Sequence, residues 1–173
     1  KAEDYTFDFA KDLLKQIGDK ARQYNQRLTF HPGQFNVLGS PHENVLLNTI
    51  TGLDYHASVL DLMGMGVNSV MVIHGGGLYG DKESAKQRWC DNYIKLPDKI
   101  KNRLVLENCE RIFSIRDCID ISKKVGVPVV FDTHHYTCYR QLHPLEEFDK
   151  SPKEFISDIL KSWGDIKPKF HIF

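Results

Sequence analysis

Val129-Val130-Phe131-Asp132-Thr133-His134-His135 is the stretch whose reading decides the fold. A β-branched and aromatic run, entered through Gly126-Val127-Pro128, stops at a carboxylate and two imidazoles. That pattern marks a buried strand with a polar end. An unpaired carboxylate is costly to bury, so one at a strand end calls for a partner or a metal. Three other apolar runs end alike: Leu28-Thr29-Phe30 at His31, Val70-Met71-Val72-Ile73 at His74, and Leu104-Val105-Leu106 at Glu107. A further segment, Lys169-Phe170-His171-Ile172-Phe173, carries a His within strand-like alternation. Together these segments point to strands converging on one polar site.

Between the strands, spacing predicts helices. From Asp4 to about Gln26, Ala10, Leu14, Ile17, Ala21 and Tyr24 recur at helical intervals. Ser40, Pro41 and Glu43 read as N-cap, first position and capping box of a second helix. Its expected buried stripe is Leu46, Ile50, Leu53, Ala57 and Leu60. Lys82 to about Tyr93 gives a third helix, and Ser114-Ile115-Arg116-Asp117 opens a fourth that Gly126 stops. Ser151-Pro152-Lys153-Glu154 opens the last, through Ile156, Ile159, Leu160 and Trp163. The residues after Asp132, including Tyr136, Tyr139, Arg140 and His143, read as a long polar loop. Strict alternation implies parallel strands with right-handed crossovers. Polar endings on every strand favour a parallel TIM-type (β/α) barrel, with about five of eight strands present, over a doubly wound sheet. Residues 1–173 would then be a single, partial barrel domain.

Hydrophobic content of 41% and charged content of 27% are ordinary for a globular domain. A formal net charge of zero gives no overall attraction to nucleic acid or membrane. A local basic face or bound cations would have to supply it. Cys90, Cys109, Cys118 and Cys138 lack paired spacing and read as reduced thiols of an intracellular protein. There is no signal-peptide pattern and no apolar run of membrane-spanning length. The chain opens without Met and stops at Ile172-Phe173 inside a strand, so a fragment of a longer protein, with unpaired outer strands, is expected.

His31, His74, Glu107, Asp132, His134 or His135, and His171 form the candidate site. Imidazole with carboxylate suits zinc or manganese, and the lack of Cys argues against a structural zinc knot. Taken singly, each His could equally be a hydrogen-bonded core or loop residue; jointly the strand-end pattern favours metal. Spacing alone does not choose between His134 and His135. His42, His56 and His143 read as structural or surface residues, and Gly75-Gly76-Gly77 as a tight turn, since no Gly-Lys-Ser/Thr follows. Lys82, Lys86 and Arg88 could bind phosphates, although solvated helix charges are commoner. With no Ser or Cys set up as a nucleophile, a metal-activated water is the better candidate.

Five motifs now stand in order: His31-Pro32-Gly33-Gln34-Phe35; Val72-Ile73-His74-Gly75-Gly76-Gly77 with Tyr79-Gly80-Asp81-Lys82; Leu106-Glu107-Asn108; Phe131-Asp132-Thr133-His134-His135; and Lys169-Phe170-His171. The set resembles the UV damage endonuclease family, TIM-barrel relatives of endonuclease IV, over nearly the whole chain. The resemblance implies incision of damaged double-stranded DNA immediately 5′ to UV photoproducts and some other lesions, inside the cell and wherever its DNA is. It implies a cluster of divalent metals, usually manganese, with zinc or magnesium as alternatives. The implied ligands are His31, His74, Glu107, Asp132, His135 and His171, which selects His135 over His134. Glu107, Asp132 and Lys169 would be the catalytic groups, and Lys169 shares a strand side with His171. Gln34 and Phe35 would enter the DNA at the lesion, and Lys82, Tyr136 and Arg140 are read as further DNA contacts. No obligate protein partner and no membrane are implied.

Cys109 stands where the family usually has an acid, and the family's first ligand-bearing region and its last His and Glu ligands have no counterpart. Two other classes remain open. A metal-dependent sugar isomerase or epimerase of related barrel fold would need a closed, sugar-sized pocket. An inactive binding remnant would hold little metal.

Overall fold

The computed structural model describes residues 6–144 and 152–173. After a 3-10 turn at Asp8–Ala10 come α1 (Lys11–Gln23), α2 (Glu43–Leu62), β1 (Met71–His74), α3 (Lys82–Ile94) and α4 (Asp98–Lys101). Then follow β2 (Leu104–Glu107), α5 (Ile115–Val125), β3 (Val129–Asp132), α6 (Thr133–Leu142), α7 (Lys153–Ser162) and β4 (Phe170–His171). The strands lie side by side in chain order, β1-β2-β3-β4, every pair parallel. A doubly wound sheet reverses direction at a switch point; this one does not, and it is a parallel sheet of the TIM-barrel type. The register sets His74 opposite Glu107 and Asp132 opposite His171. Every residue of β2 and β3 is buried, as parallel strands covered on both faces require.

The first expected strand shrinks to one parallel bridge between Phe30 and Met71. Phe30 donates its N–H to the Val70 carbonyl at 3.0 Å and accepts from the Val72 N–H at 2.9 Å. Pro32 then removes the N–H that would extend the ladder. Further along the sheet, the close of α7 fixes the start of β3. Ser162 Oγ accepts from the Val129 N–H at 2.9 Å, and the buried Trp163 indole donates to the Val129 carbonyl at 2.8 Å.

Helix bounds depart from expectation for identifiable reasons. α1 begins at Lys11, and it buries Gly18 and Ala21 while Ile17 and Tyr24 face solvent. A Cβ at Gly18 would lie 1.7 Å from the Met63 carbonyl oxygen, so the glycine permits a close approach that turns Ile17 outward. Asp4, the expected start, lies outside the described residues. The capping box at Ser40 does not form: its hydroxyl accepts from the His42 N–H at 3.1 Å, and α2 starts after His42. Leu53, Ala57 and Leu60 are buried as their spacing required. The box at Ser114 and Asp117 does form, and Gly126 ends α5 at φ +76°.

The segment after Asp132 is a helix, α6, not a loop. Asp132 caps it by accepting from the His135 N–H at 2.8 Å, and its buried positions are only Tyr136 and Tyr139. In α7, Phe155 and Ile159 are buried while Leu160 is exposed; Ser151, the expected cap, lies outside the described residues. Among the described residues no helix is long and apolar enough to cross a membrane.

Candidate metal centre

The centre is built around Glu107, the last residue of β2, whose carboxylate is wholly withdrawn from solvent. Its Oε2 accepts from His31 Nε2 at 2.8 Å and His74 Nε2 at 2.9 Å, while His171 Nδ1 meets Oε1 at short range. His171 Nδ1 also lies 3.5 Å from Asp132 Oδ2. Three imidazoles and a second carboxylate thus reach one buried carboxylate from the ends of adjacent strands. Burial alone would raise the Glu107 pKa, but the hydrogen bonds from His171, His31 and His74 outweigh it and hold the group well below the usual carboxylate range. The Glu107 bond raises His31, against burial and the nearby Lys169 charge.

The donors fit divalent cations. His31, His74 and Glu107 bring one ligand atom each within 4.8 Å of one another, and so do Glu107, Asp132 and His171. Glu107 belongs to both groups, and imidazole with carboxylate is a set that manganese or zinc accepts. His135 adds its ring at 5.1 Å from that of His74. Its Nδ1 donates to the Asn108 carbonyl at 3.0 Å, which leaves Nε2 with a free lone pair. His134 instead sits exposed with Nε2 3.6 Å from Cys138 Sγ. Of the two, His135 lies beside His74, although it belongs to neither of the two donor groups.

Lys169 is half-buried and donates to Thr29 Oγ1 at 3.1 Å. Burial, with Arg27 nearby, pushes its pKa down. Gln34 and Phe35 project from a turn in which the Gly33 carbonyl accepts from both the backbone and side-chain N–H groups of Asn36, at 3.0 and 2.8 Å. Phe35 is 82% exposed, so it does not pack beneath its loop. Lys82 commits its ammonium to Asp117 Oδ2 at 3.1 Å and Tyr139 Oη at 2.8 Å. Tyr136 packs its buried ring on Phe131 and Phe155, which makes it core rather than a surface for DNA. Arg140 is exposed, its guanidinium 5.6 Å from the Tyr136 ring centre.

Asn108 is the residue that sequence reasoning missed. Its buried amide accepts from the Asp132 N–H at 2.9 Å and donates to the Asp132 carbonyl at 3.1 Å, clamping the ends of β2 and β3 together. The one available signal was an amide directly after a strand-end carboxylate. Cys109, where an acid was expected, is buried and its sulfur accepts from the N–H groups of Ile112 and Phe113 at 3.3 and 3.1 Å. A thiol thus serves as the acceptor that closes this loop.

Fold and donor set define part of a TIM-type barrel with a candidate divalent-metal centre. A profile of the family described as UV-endonuclease UvdE matches residues 2–172, and the chain belongs to that family. It is 35% identical over 171 residues to the UV DNA damage endonuclease of Bacillus velezensis, covering 98% of this chain and 51% of that protein. The UV DNA damage endonuclease of Clostridium perfringens is 39% identical over 154 residues, 89% of this chain and 36% of that protein. The crystal structure of SacUVDE superposes with a TM-score of 0.85 at 33% identity, over 99% of this chain and 57% of that one. The chain thus spans about half the length, or less, of the relatives it matches. Endonuclease IV from Thermus thermophilus (TM-score 0.60, 14% identity, 91% and 56% covered) shares the fold. So does D-psicose 3-epimerase (TM-score 0.62, 18% identity, 97% and 58% covered). At such identities the likeness concerns the fold alone.

Proposed function

We propose that this chain is the metal-binding part of a DNA repair endonuclease, one domain that hydrolyses the phosphodiester bond 5′ to UV photoproducts and related lesions in double-stranded DNA. The observation that carries the reading is the buried Glu107 carboxylate, shared by His31, His74 and His171 at the ends of parallel strands. His31, His74, Glu107, Asp132, His135 and His171 would hold divalent ions, manganese before zinc or magnesium. Bound there, such ions supply hydroxide near neutral pH and neutralise charge on phosphate oxygens.

The chain's own groups do the rest. Asp132 and Glu107 keep the imidazoles oriented, and Asn108 holds the Asp132 backbone in line. Lys169 carries a charge that burial and Arg27 disfavour, so an incoming phosphate oxygen is a preferred partner for it. Gln34 can hydrogen-bond exposed base edges and Phe35 can stack in the gap that displaced nucleotides leave. Unstacking costs a few kcal/mol in sound duplex and least where a lesion has already weakened it, so the pair selects for deformability. Arg140 adds positive charge toward the backbone. Such a protein works inside the cell, with the DNA.

The test uses the full-length protein that carries this chain, incubated with UV-irradiated and undamaged duplex. Gln34→Ala and Phe35→Ala are expected to lose incision at lesions with metal content unchanged. Unaltered incision in both variants would reject the probing role. Failure of the parent protein to incise either duplex with manganese present would reject the function itself.

A further inference from the structure

Tyr79 is the residue whose conformation the metal centre leaves unexplained. It adopts φ +49°, one of two non-glycine residues with positive φ among those described. An L side chain there is strained, and such strain concentrates where a site over-determines it. Gly80 follows at φ +89°, so the chain bends sharply between the end of β1 and the start of α3.

The ring is fixed on several sides yet remains open. Tyr79 Cε2 lies over Gly77, where a Cβ would come within 2.9 Å of it. The His42 ring meets it edge-on at 6.0 Å, and the Arg88 guanidinium lies 6.0 Å from its centre. Arg88 Nε donates to the Gly39 carbonyl at 2.9 Å, and Gly76 packs so close to Val37 that a Cβ would reach 2.5 Å. These contacts tie the loop bearing Tyr79 to the loop that runs on from Gln34 and Phe35. Both loops begin at a metal-site histidine, His74 and His31 respectively. Tyr79 nonetheless leaves 40% of its surface exposed, beside Leu78 at 39%. A core role would bury the ring, and a purely structural turn would place glycine at this φ.

We propose that Tyr79 is a second stacking platform for DNA, taking the face of a nucleotide in the strand that crosses the metal centre. Phe35 would enter the duplex, and Tyr79 would hold a nucleotide beside it. A cation against the ring suits this task, because Arg88, itself anchored on the Gly39 carbonyl, steadies the ring. The inference rests on the DNA endonuclease reading above.

The test uses Tyr79→Gly and Tyr79→Phe in the full-length, manganese-loaded protein. Glycine accepts the positive φ, so it removes the ring without straining the turn. Affinity is read with duplexes carrying a lesion and 2-aminopurine, whose fluorescence is quenched by stacking. Tyr79→Gly should bind roughly tenfold more weakly and lose part of the quenching. Its melting temperature should hold or rise, and its metal content should not change. Tyr79→Phe should keep both affinity and quenching. Equal affinity and quenching in the parent and Tyr79→Gly would overturn the assignment while leaving the endonuclease reading intact. Equal losses in Tyr79→Phe and Tyr79→Gly would overturn stacking in favour of the hydroxyl. A parent protein that binds no lesion duplex would overturn both readings.

Discussion

Glu107 and Asp117 are two carboxylates withdrawn from water in the same protein, 0% and 8% exposed. Both are held below the usual carboxylate range, although burial pushes each the other way. Their partners differ in kind. Asp117 takes Lys82 Nζ at 3.1 Å, Lys86 Nζ at 3.2 Å, and the N–H and hydroxyl of Ser114 at 2.9 Å each. An ammonium group has no lone pair to give a cation, so this cluster is closed and braces α3 against α5. Glu107 is met by imidazoles, and an imidazole nitrogen can exchange its proton for a metal. Burial and a lowered pKa do not by themselves mark a site. The lone pairs of the surrounding groups do.

The sharpest way to break this contrast is Asp117→Asn. It removes the one buried carboxylate of the three around Lys86, whose side chain is only 5% exposed, and leaves the exposed Glu83 and Asp120 in place. A hydrogen bond to a charged group contributes about 1.5–3 kcal/mol, and Asp117 takes such bonds from Lys82 and Ser114. Urea denaturation should show a loss of that order with manganese content unaltered. A variant as stable as the parent, or one that also lost its metal, would erase the distinction between the two clusters.

Asn108→Ala comes next in size. It leaves the buried Asp132 N–H without its partner, at a cost of about 1–3 kcal/mol. Because Asp132 belongs to the donor set, metal affinity should fall with stability, unlike in Asp117→Asn. Calorimetric titration with manganese checks this, and normal affinity in the variant would detach the clamp from the site.

The smallest effect is on pH dependence. Asp117 is lowered from 3.8, with Lys82 and Ser114 outweighing burial. The stability it contributes is therefore present above that ordinary value and lost as pH falls through the lower folded one. Lys86 is raised, Glu83, Asp117 and Asp120 outweighing burial, so its contribution persists into alkaline solution and declines only above the ordinary lysine range. Denaturation midpoints of metal-stripped protein should fall below about pH 4 more steeply in the parent than in Asp117→Asn. Parallel curves would show that Asp117 is not linked to folding.

Much of the centre was legible because a parallel strand writes its direction into the sequence. A β-branched run that stops at His, Asp or Glu names the strand, its buried length and the face on which it ends, as at His74, Glu107 and Asp132. α6 was illegible because its buried face is little more than Tyr136 and Tyr139, too sparse for a period. Asp132 also serves as its cap while standing in the donor set, and one residue with two roles shows only one in sequence. Lys82 read as a phosphate contact because a helix-start lysine carries no sign of a partner 35 residues away. The Ser40 box failed where the Ser114 box held: the first hydroxyl is taken by His42, two residues on, before the helix starts.

The central claim is that the Glu107 cluster, and not the Asp117 cluster, binds divalent metal. Its most direct test is calorimetric titration of manganese into chelator-stripped full-length protein, comparing the parent, Glu107→Gln and Asp117→Asn. Glutamine keeps the shape of Glu107 but removes its charge. The expected result is affinity weakened by roughly tenfold to a hundredfold in Glu107→Gln, with Asp117→Asn binding like the parent. Parent-like affinity in Glu107→Gln, or equal losses in the two variants, would contradict the account.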